Sequence, residues 1–252
     1  MISKRTLKLI KSLQQKKYRK KYNLFIVEGG KNVQELLSAN FSIRTLIATP
    51  VFLEAQKDFI KTRNFLEIIE TEEKQLSIAS TFKSNNAALA LVDIPEATPY
   101  ISDKNNFELV LDDVKDPGNL GTILRIADWY GITNVICSPE TTDVYSPKVV
   151  SASMGSFLRV KVFYRELNTF FQQNKKTVYG AYAEGGENVH TIEFEKEGIL
   201  VMGSESHGVR PSVEGFVNHK VHIPSYGKAE SLNVGIATSV ICDNIRRVVS
   251  NL

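Results

Sequence analysis

The chain has 252 residues, 42% hydrophobic and 23% charged, with a formal net charge of +3. This length and composition predict one large or two ordinary folded domains, and apolar runs such as residues 199–202 are too short to span a bilayer. Because the basic N-terminus lacks the apolar stretch of a signal peptide, we expect a cytoplasmic protein.

The net charge is distributed unevenly along the chain. Residues 1–100 carry 16 Lys and Arg against 10 Asp and Glu, whereas residues 101–252 carry 15 against 18. Residues 1–27 hold nine basic residues and no acidic residue. A basic segment of this density suits a polyphosphate partner, and a solvated helix face is the alternative.

The first hundred residues predict a small α/β domain. Residues 3–21 form a single basic helix in this prediction, with a narrow apolar stripe. Further helices are predicted at Asn32–Leu37, Phe52–Ile60 and Glu73–Ala79, and strands at Leu24–Val27, Ile43–Ala48, Leu66–Ile69 and Ala88–Val92. The following stretch is polar, contains two prolines and has no clear period. We therefore place the first domain at residues 1–95 and a linker at residues 96–106.

A second α/β domain is predicted over residues 107–252. Its strands are expected at Phe107–Leu111, Asn134–Cys137, Leu158–Phe163, Val178–Ala183, Ile199–Met202 and Val221–Ile223, with helices at Gly118–Tyr130 and from Asn233 to about Val249. Because these strands are continuously apolar, they favour a parallel sheet covered on both faces.

The second domain lacks the sequence motifs of several common binding sites. No G-x-G-x-x-G pattern follows its first strand, so an ordinary dinucleotide site is not supported. Gly227-Lys228 is followed by Ala229, which does not fit a P-loop. The four histidines have no metal-ligand spacing with the cysteines, so we expect no metal. Cys137 and Cys242 lie in apolar surroundings and are predicted to be buried free thiols.

Three short segments of the second domain lie at strand–helix junctions, where α/β proteins place their chemistry. They are Asn119–Arg125 (NLGTILR), Gly203–Glu205 (GSE) and Ser231–Val234 (SLNV). In this order they resemble the three motifs of the SpoU family of RNA ribose 2′-O-methyltransferases, which belong to the SPOUT methyltransferases. The resemblance extends from about Phe107 to Arg247.

The resemblance implies a fold, a cofactor and a set of site residues. It implies a parallel-sheet SPOUT domain with a C-terminal trefoil knot, a homodimer, and S-adenosylmethionine bound near the dimer interface. The implied catalytic residues are Asn119, Arg125, Glu205, Ser231 and Asn233. The implied cofactor-binding residues are Met202, Gly203, Ile223 and Leu232.

The chemistry of these residues agrees with such roles, and each also has a simpler explanation. The guanidinium of Arg125 stays protonated in proteins, so it suits holding a phosphate and stabilising an alkoxide better than acting as a base. The alternative explanation of Arg125 is a surface salt bridge. Asn119 and Ser231 stand at predicted helix starts, where they could cap backbone N–H groups. Gly203, at a strand end, would let a planar ligand approach the backbone.

The chain departs from the family pattern at two places. Ser206 and His207 separate Glu205 from Gly208, where the family usually has Gly after the Glu, and Gly235 stands where Ser is common. A solvated loop histidine is a better explanation of His207 than a general base. The small-residue segment Ser151–Ser156 also resembles the family's segment between the first two motifs.

The first domain resembles the substrate-binding domain that precedes the catalytic domain in many ribosomal-RNA members. The resemblance rests on Lys16-Lys17-Tyr18-Arg19 and on residues 24–29 (LFIVEG). Lys16, Lys17 and Arg19 are the candidate RNA-binding residues. Tyr18 and Tyr22 either stack on unpaired bases or pack under the sheet.

These features predict S-adenosylmethionine-dependent 2′-O-methylation of a ribose in structured RNA. The full-size first domain favours 23S ribosomal RNA by analogy, with transfer RNA as an alternative substrate. A non-catalytic RNA-binding or ribosome-assembly protein on the same scaffold is a second alternative. A nucleotide-dependent enzyme of small molecules is a third, which the missing glycine motifs and the basic segment disfavour.

Overall fold

The computed structural model describes residues 2–81 and 85–249. By their internal contacts these residues form two compact units. Unit 1 comprises the residues up to Thr98 together with Asp143–Leu158, and unit 2 comprises Pro99–Thr142 and the residues from Arg159 onward. Residues 143–158 were predicted to belong to the second domain, whereas the structure groups them with the first.

Unit 1 is built on a four-stranded sheet in the order β1-β4-β2-β3. The pairs β1–β4 and β4–β2 are antiparallel, and β2–β3 is parallel. The strands are β1 (Leu24–Glu28), β2 (Ile43–Ala48), β3 (Glu67–Glu70) and β4 (Ala88–Asp93). The helices before and between them are α1 (Lys4–Ser12), α2 (Lys16–Tyr22), α3 (Gly30–Ser38), α4 (Pro50–Ala55), α5 (Lys57–Lys61) and α6 (Glu73–Ala79).

The single basic helix predicted at residues 3–21 is two helices, so this prediction was wrong. Helix α1 starts at the cap Ser3, whose side chain accepts from the Thr6 N–H, and it buries Ile10 against the sheet. Leu13, directly after the helix, is fully buried in the same core. Gln15 then adopts an extended conformation (φ −98°, ψ 132°), which interrupts the helical backbone before α2 begins at Lys16.

Unit 2 contains a seven-stranded sheet in the order β7-β6-β5-β10-β8-β11-β9, and all of its strand pairs are parallel. The strands are β5 (Phe107–Leu111), β6 (Asn134–Cys137), β7 (Lys161–Tyr164), β8 (Val178–Tyr182), β9 (Glu187–Asn188), β10 (Gly198–Met202) and β11 (His219–His222). The helices are α7 (Pro117–Trp129), α9 (Leu167–Gln173), α10 (Pro211–Glu214) and α11 (Val234–Val249), while α8 (Pro147–Ala152) belongs to unit 1.

The predicted α/β class with a parallel second sheet is confirmed. Every residue of β5, β6 and β10 is buried, as expected for strands covered on both faces. The trefoil knot that the resemblance implies stays a prediction. Cys137 and Cys242 are buried free thiols, and burial raises the pKa of Cys242 to about 12. Among the described residues, no helix is long and apolar enough to cross a bilayer.

The segment that returns to unit 1 supplies part of its core. Helix α8 packs on β1, and the ring of Tyr145 lies 4.7 Å from the ring of Phe25. Phe157 lies 6.0 Å from the same ring, in an edge-on arrangement. Asp143 forms an ion pair with Arg19, with 2.6 Å between Oδ2 and Nη2. Residues 143–158 are therefore an integral part of the fold of unit 1.

Candidate active site

A cavity of about 480 Å³ opens in unit 2 at the carboxyl ends of β8, β10 and β11. This is the edge where parallel sheets of open α/β proteins bind ligands. All four predicted cofactor residues, Met202, Gly203, Ile223 and Leu232, line it. Sequence reasoning missed other parts of the wall, which are residues 181–183 at the carboxyl end of β8 and residues 224–226 after Ile223.

Gly203 is needed because the backbone passes very close to it. A Cβ at this position would lie 2.0 Å from the carbonyl carbon of Gly208 and 2.3 Å from the nitrogen of Val209. The loop between them is closed by two backbone hydrogen bonds, from Ser204 N–H to Gly208 O (3.1 Å) and from Gly208 N–H to Ser204 O (2.9 Å). The two extra residues Ser206 and His207 are accommodated inside this closed loop.

A chain of hydrogen bonds joins the three motifs. The amide Nδ2 of Asn119 donates to the Glu205 carboxylate. The Nδ2 of Asn233 donates to the Oδ1 of Asn119 (3.0 Å), and the Oδ1 of Asn233 accepts from the Gly235 N–H (2.9 Å). Residues up to 114 positions apart in the sequence are thereby connected at one place.

Asn119 and Ser231 were predicted as possible helix caps, but other residues cap these two helices. The N-cap of α7 is Asp116, whose carboxylate accepts from the Asn119 N–H (2.9 Å), so the Asn119 side chain is not used for capping. Asn233, through its bond from Gly235, caps the start of α11. Ser231 lies two residues before Asn233, is exposed and lines the cavity.

Arg125 lies on the exposed surface of α7. It does not line the cavity, and it forms no hydrogen bond or ion pair with any residue that the structure describes. The alternative of a surface salt bridge is therefore absent from the described part of the chain. The nearby Trp129, one turn further along α7, is 84% exposed. Arg125 is thus a free cation beside an exposed aromatic residue.

Sequence reasoning missed an ion pair that holds the loop after β10. Asp112, fully buried at the end of β5, accepts from the Arg210 N–H (2.8 Å) and from its Nε (2.6 Å). Burial alone would lower the pKa of Arg210, but the charge and the hydrogen bond of Asp112 outweigh it and the pKa is raised. The Arg210 guanidinium therefore stays charged, and its bonds to Asp112 fix the carboxyl end of the Glu205 loop.

His207 is exposed, and its hydrogen bonds stay within its own loop. Its Nδ1 lies 2.7 Å from Ser206 Oγ, and its N–H donates to Ser204 Oγ (3.2 Å). It does not line the cavity. This arrangement favours the interpretation of His207 as a loop residue.

The three candidate RNA-binding residues of α2 separate into two kinds. Lys16 and Lys17 are exposed, but Arg19 is only 2% exposed. The Nη1 of Arg19 donates to the carbonyl oxygens of Leu13 (2.8 Å) and Gln14 (2.9 Å), and its Nη2 pairs with Asp143. These bonds disfavour the predicted RNA contact of Arg19, because all three nitrogens of its guanidinium are bonded inside unit 1.

The described residues contain no cluster of three His, Cys, Asp or Glu side chains placed to hold a metal ion. The cavity instead suits an organic ligand, since its volume lies within the ~300–1,000 Å³ of small-molecule sites and its wall includes Leu232, Ile223 and Ile241. The carboxylates of Glu205 and Glu230 also line it and complement a cationic ligand.

Known proteins share both units of this chain. The sequence matches the SpoU rRNA Methylase family over residues 106–243 and the MRM3-like substrate binding domain over residues 4–90. The 23S rRNA (guanosine(2553)-2′-O)-methyltransferase RlmP of Bacillus subtilis is 30% identical over 246 residues, 94% of this chain and 94% of that protein.

Solved structures agree with these sequence matches. An RNA methyltransferase of the TrmH family from Porphyromonas gingivalis is 36% identical, with a TM-score of 0.87, and covers 98% of this chain and 99% of its own. An AdoMet-bound rRNA methyltransferase from Sinorhizobium meliloti is 29% identical, with a TM-score of 0.86, and covers 98% and 96%.

The fold and the site together define a methyltransferase of the SPOUT class. The chain belongs to the SpoU rRNA Methylase family. It is an RNA methyltransferase whose cofactor is S-adenosylmethionine. The cavity fits this cofactor, because the absent side chain at Gly203 leaves the backbone accessible and the remaining wall is largely apolar.

Proposed function

We propose that the protein methylates the 2′-hydroxyl of a ribose in 23S ribosomal RNA. The observation that carries this proposal is the Bacillus subtilis 23S rRNA enzyme, which aligns along 94% of this chain and thus through both units. A transfer-RNA substrate remains the alternative. A non-catalytic role is disfavoured, because the Asn119–Glu205–Asn233 hydrogen-bond chain keeps the motif residues assembled.

The cavity residues bind and orient the cofactor in this proposal. S-adenosylmethionine, when bound, supplies an electrophilic methyl group. Ile223, Leu232 and Met202 provide the apolar wall, and Gly203 allows close approach to the backbone. Holding the two reactants in one geometry contributes a large share of the rate in such transfers.

The three motifs act on the ribose hydroxyl. Asn119 and Asn233 are held by each other and by Glu205, so their amides are preorganised for an incoming ribose. Ser231, exposed on the cavity wall, offers a hydroxyl at the same place. Arg125 has no partner among the described residues and is free to hold a substrate phosphate and stabilise the developing alkoxide.

We also propose that the enzyme is a homodimer formed through α7 and α11. Trp129 on α7 is 84% exposed and Ile236 on α11 is 55% exposed. The two helices pack side by side, with Thr122 against Gly235. Large apolar side chains exposed on neighbouring helices are typical of an interface. A dimer would cover them and would bring Arg125, on the same helix as Trp129, close to a second chain.

Unit 1 provides the RNA-binding surface in this proposal. Lys16 and Lys17 are exposed on α2 and carry no ion pair with the described residues, so they are available to phosphates. In this proposal the substrate domain comprises residues 1–95 and 143–158, the linker residues 96–106, and the catalytic domain the remainder of residues 107–252. Modification of ribosomal RNA would place the enzyme in the cytoplasm.

The test is a map of 2′-O-methylation across total RNA from a strain lacking the gene, compared with the parent strain. The proposal predicts the loss of a single 23S rRNA modification and its return when the gene is restored. Restoration with Arg125→Ala in place of the wild type should fail. Loss of a transfer-RNA modification with intact 23S rRNA would move the substrate to transfer RNA.

A further inference from the structure

Helix α2 presents two stacked tyrosines among lysines. The rings of Tyr18 and Tyr22, one helical turn apart, have centroids 6.3 Å apart and planes inclined by 14°. The Nζ of Lys17 lies 4.9 Å from the centre of the Tyr18 ring, and that of Lys21 lies 5.6 Å from the Tyr22 ring. Tyr22 is 40% exposed. We call the surface formed by Lys17, Tyr18, Lys21 and Tyr22 the α2 platform.

A buried charged residue on the opposite side of α2 anchors the helix that carries the α2 platform. Arg19 is the only residue of α2 that is buried, and it is fixed by two backbone carbonyls and Asp143. Asn23, in the left-handed conformation (φ 51°), ends the helix with its N–H bonded to the Arg19 carbonyl. The helix is therefore anchored without its tyrosines, and neither ring is needed to fill the core.

The composition of α2 is unfavourable for a helix that only stabilises the fold. It has seven residues, five of them basic, and none is acidic, so no ion pair can form within it. Lys16 and Lys17 lie in its first turn, where the helix dipole disfavours positive charge. A negatively charged ligand would remove both penalties.

Two chemistries on one surface identify the class of ligand. Proteins that bind single-stranded nucleic acid combine a positively charged surface with aromatic side chains on which bases stack. An acidic protein partner would use the lysines but not two parallel rings. A membrane surface would require exposed aliphatic residues, and α2 (KKYRKKY) has none.

We propose that the α2 platform stacks an unpaired base of the RNA substrate on Tyr22 and Tyr18, with Lys17 and Lys21 on the adjoining phosphates. This inference rests on the proposed function, in that the substrate is RNA. It adds that the substrate must present a single-stranded element, such as a loop or bulge, to unit 1. An ideal RNA duplex would not satisfy the platform, because its bases are stacked on one another.

The test measures binding of the full-length protein to a fluorescently labelled 12-nucleotide single-stranded RNA and to a 12-base-pair RNA duplex. Tyr22→Leu should weaken single-strand binding about 5- to 150-fold, the range for loss of one base stack, with an unchanged dependence on salt. Tyr22→Phe keeps the ring and should bind within about twofold of wild type. Lys21→Gln should instead lower the salt slope by about 0.7, one phosphate contact.

A substrate-side control works even if Tyr22→Leu is poorly folded. The same single strand with abasic positions should bind the wild-type protein about 5- to 150-fold more weakly than the intact strand does. Equal binding of intact and abasic strands by wild type would overturn the proposal, as would equal losses on duplex and single strand in a folded Tyr22→Leu. Base-dependent binding without any 23S rRNA methylation would retain the platform and refute the substrate proposal instead.

Discussion

Replacing Gly203 by alanine tests the link between the backbone at the end of β10 and cofactor binding. The added Cβ would lie 2.0 Å from the carbonyl carbon of Gly208, whereas ordinary contact begins at 3.4 Å. The two backbone segments must therefore separate by about 1.4 Å (3.4 minus 2.0). The obstructing atoms are backbone, so no side-chain rotation can relieve the clash.

The cost of this separation follows from the bonds that close the loop. The two backbone hydrogen bonds between Ser204 and Gly208 would break, each with a net value of about 0.5–1.5 kcal/mol. Because S-adenosylmethionine is proposed to bind the closed form of the loop, destabilising that form by about 1–3 kcal/mol corresponds to roughly 5- to 150-fold weaker cofactor binding. The Glu205 carboxylate would also move away from Asn119, and a displacement of this size can reduce the rate of methyl transfer by about 10².

The assay is calorimetric titration of S-adenosylmethionine into the purified Gly203→Ala protein. Gly215→Ala is the matched control, because a Cβ at Gly215 meets nothing within 4 Å and its backbone (φ −61°) accepts any residue. The control should bind the cofactor like wild type. A Gly203→Ala protein with wild-type affinity would refute the assignment of this backbone to the cofactor site.

Three further predictions concern single side chains. Arg125→Ala should reduce single-turnover methyl transfer by about 10²–10³ and change the free energy of unfolding by less than about 0.5 kcal/mol, with Arg125→Lys also poor because it lacks the planar fork; near-normal turnover would contradict this role, and simultaneous loss of the dimer would make Arg125 structural. Asn119→Asp should lower transfer about 10²-fold at unchanged cofactor affinity, because two carboxylates would then face each other where Asn119 now donates to Glu205; unchanged transfer rates would show that the hydrogen bond has no catalytic use. Asp143→Ala should destabilise unit 1 by about 3 kcal/mol in urea denaturation, since it leaves the buried Arg19 guanidinium without its counter-charge, and a stability equal to wild type would show that the two carbonyls suffice.

The sequence predicted the sheet of unit 2 and the location of the site because both depend on local patterns. Strands β5 and β6 were predicted with the bounds that the structure gives them, since most of their residues are apolar. The four expected cofactor residues lie at the ends of strands or just before a helix, and parallel strands bring such positions to one edge. The roles of these residues stay a prediction.

Long-range pairs could not be predicted from one sequence. Arg19 stands in a run of lysines and has the same pattern as its neighbours, but its partner Asp143 is 124 residues away. Without knowledge of that distant partner, the sequence pattern of a buried arginine is the same as that of an RNA-binding one. The Asp112–Arg210 pair, 98 residues apart, was missed for the same reason. Charge composition indicates that a segment is basic, whereas burial of one member depends on the tertiary fold.

Because the chain returns to unit 1 with residues 143–158, this unit can complete its fold only after part of unit 2 has been synthesised. Its first part ends at Thr98, and the missing part ends at Leu158, which is 60 residues later (158 minus 98). At translation rates of about 5–20 residues per second, the ribosome needs about 3–12 s for this interval. During that time Phe25 lacks Tyr145 and Phe157, and Arg19 lacks Asp143. The nascent chain must therefore keep an apolar surface and a guanidinium uncovered while about a third of the next unit is made (44 of its 138 residues), and this interval is where a ribosome-bound chaperone would act.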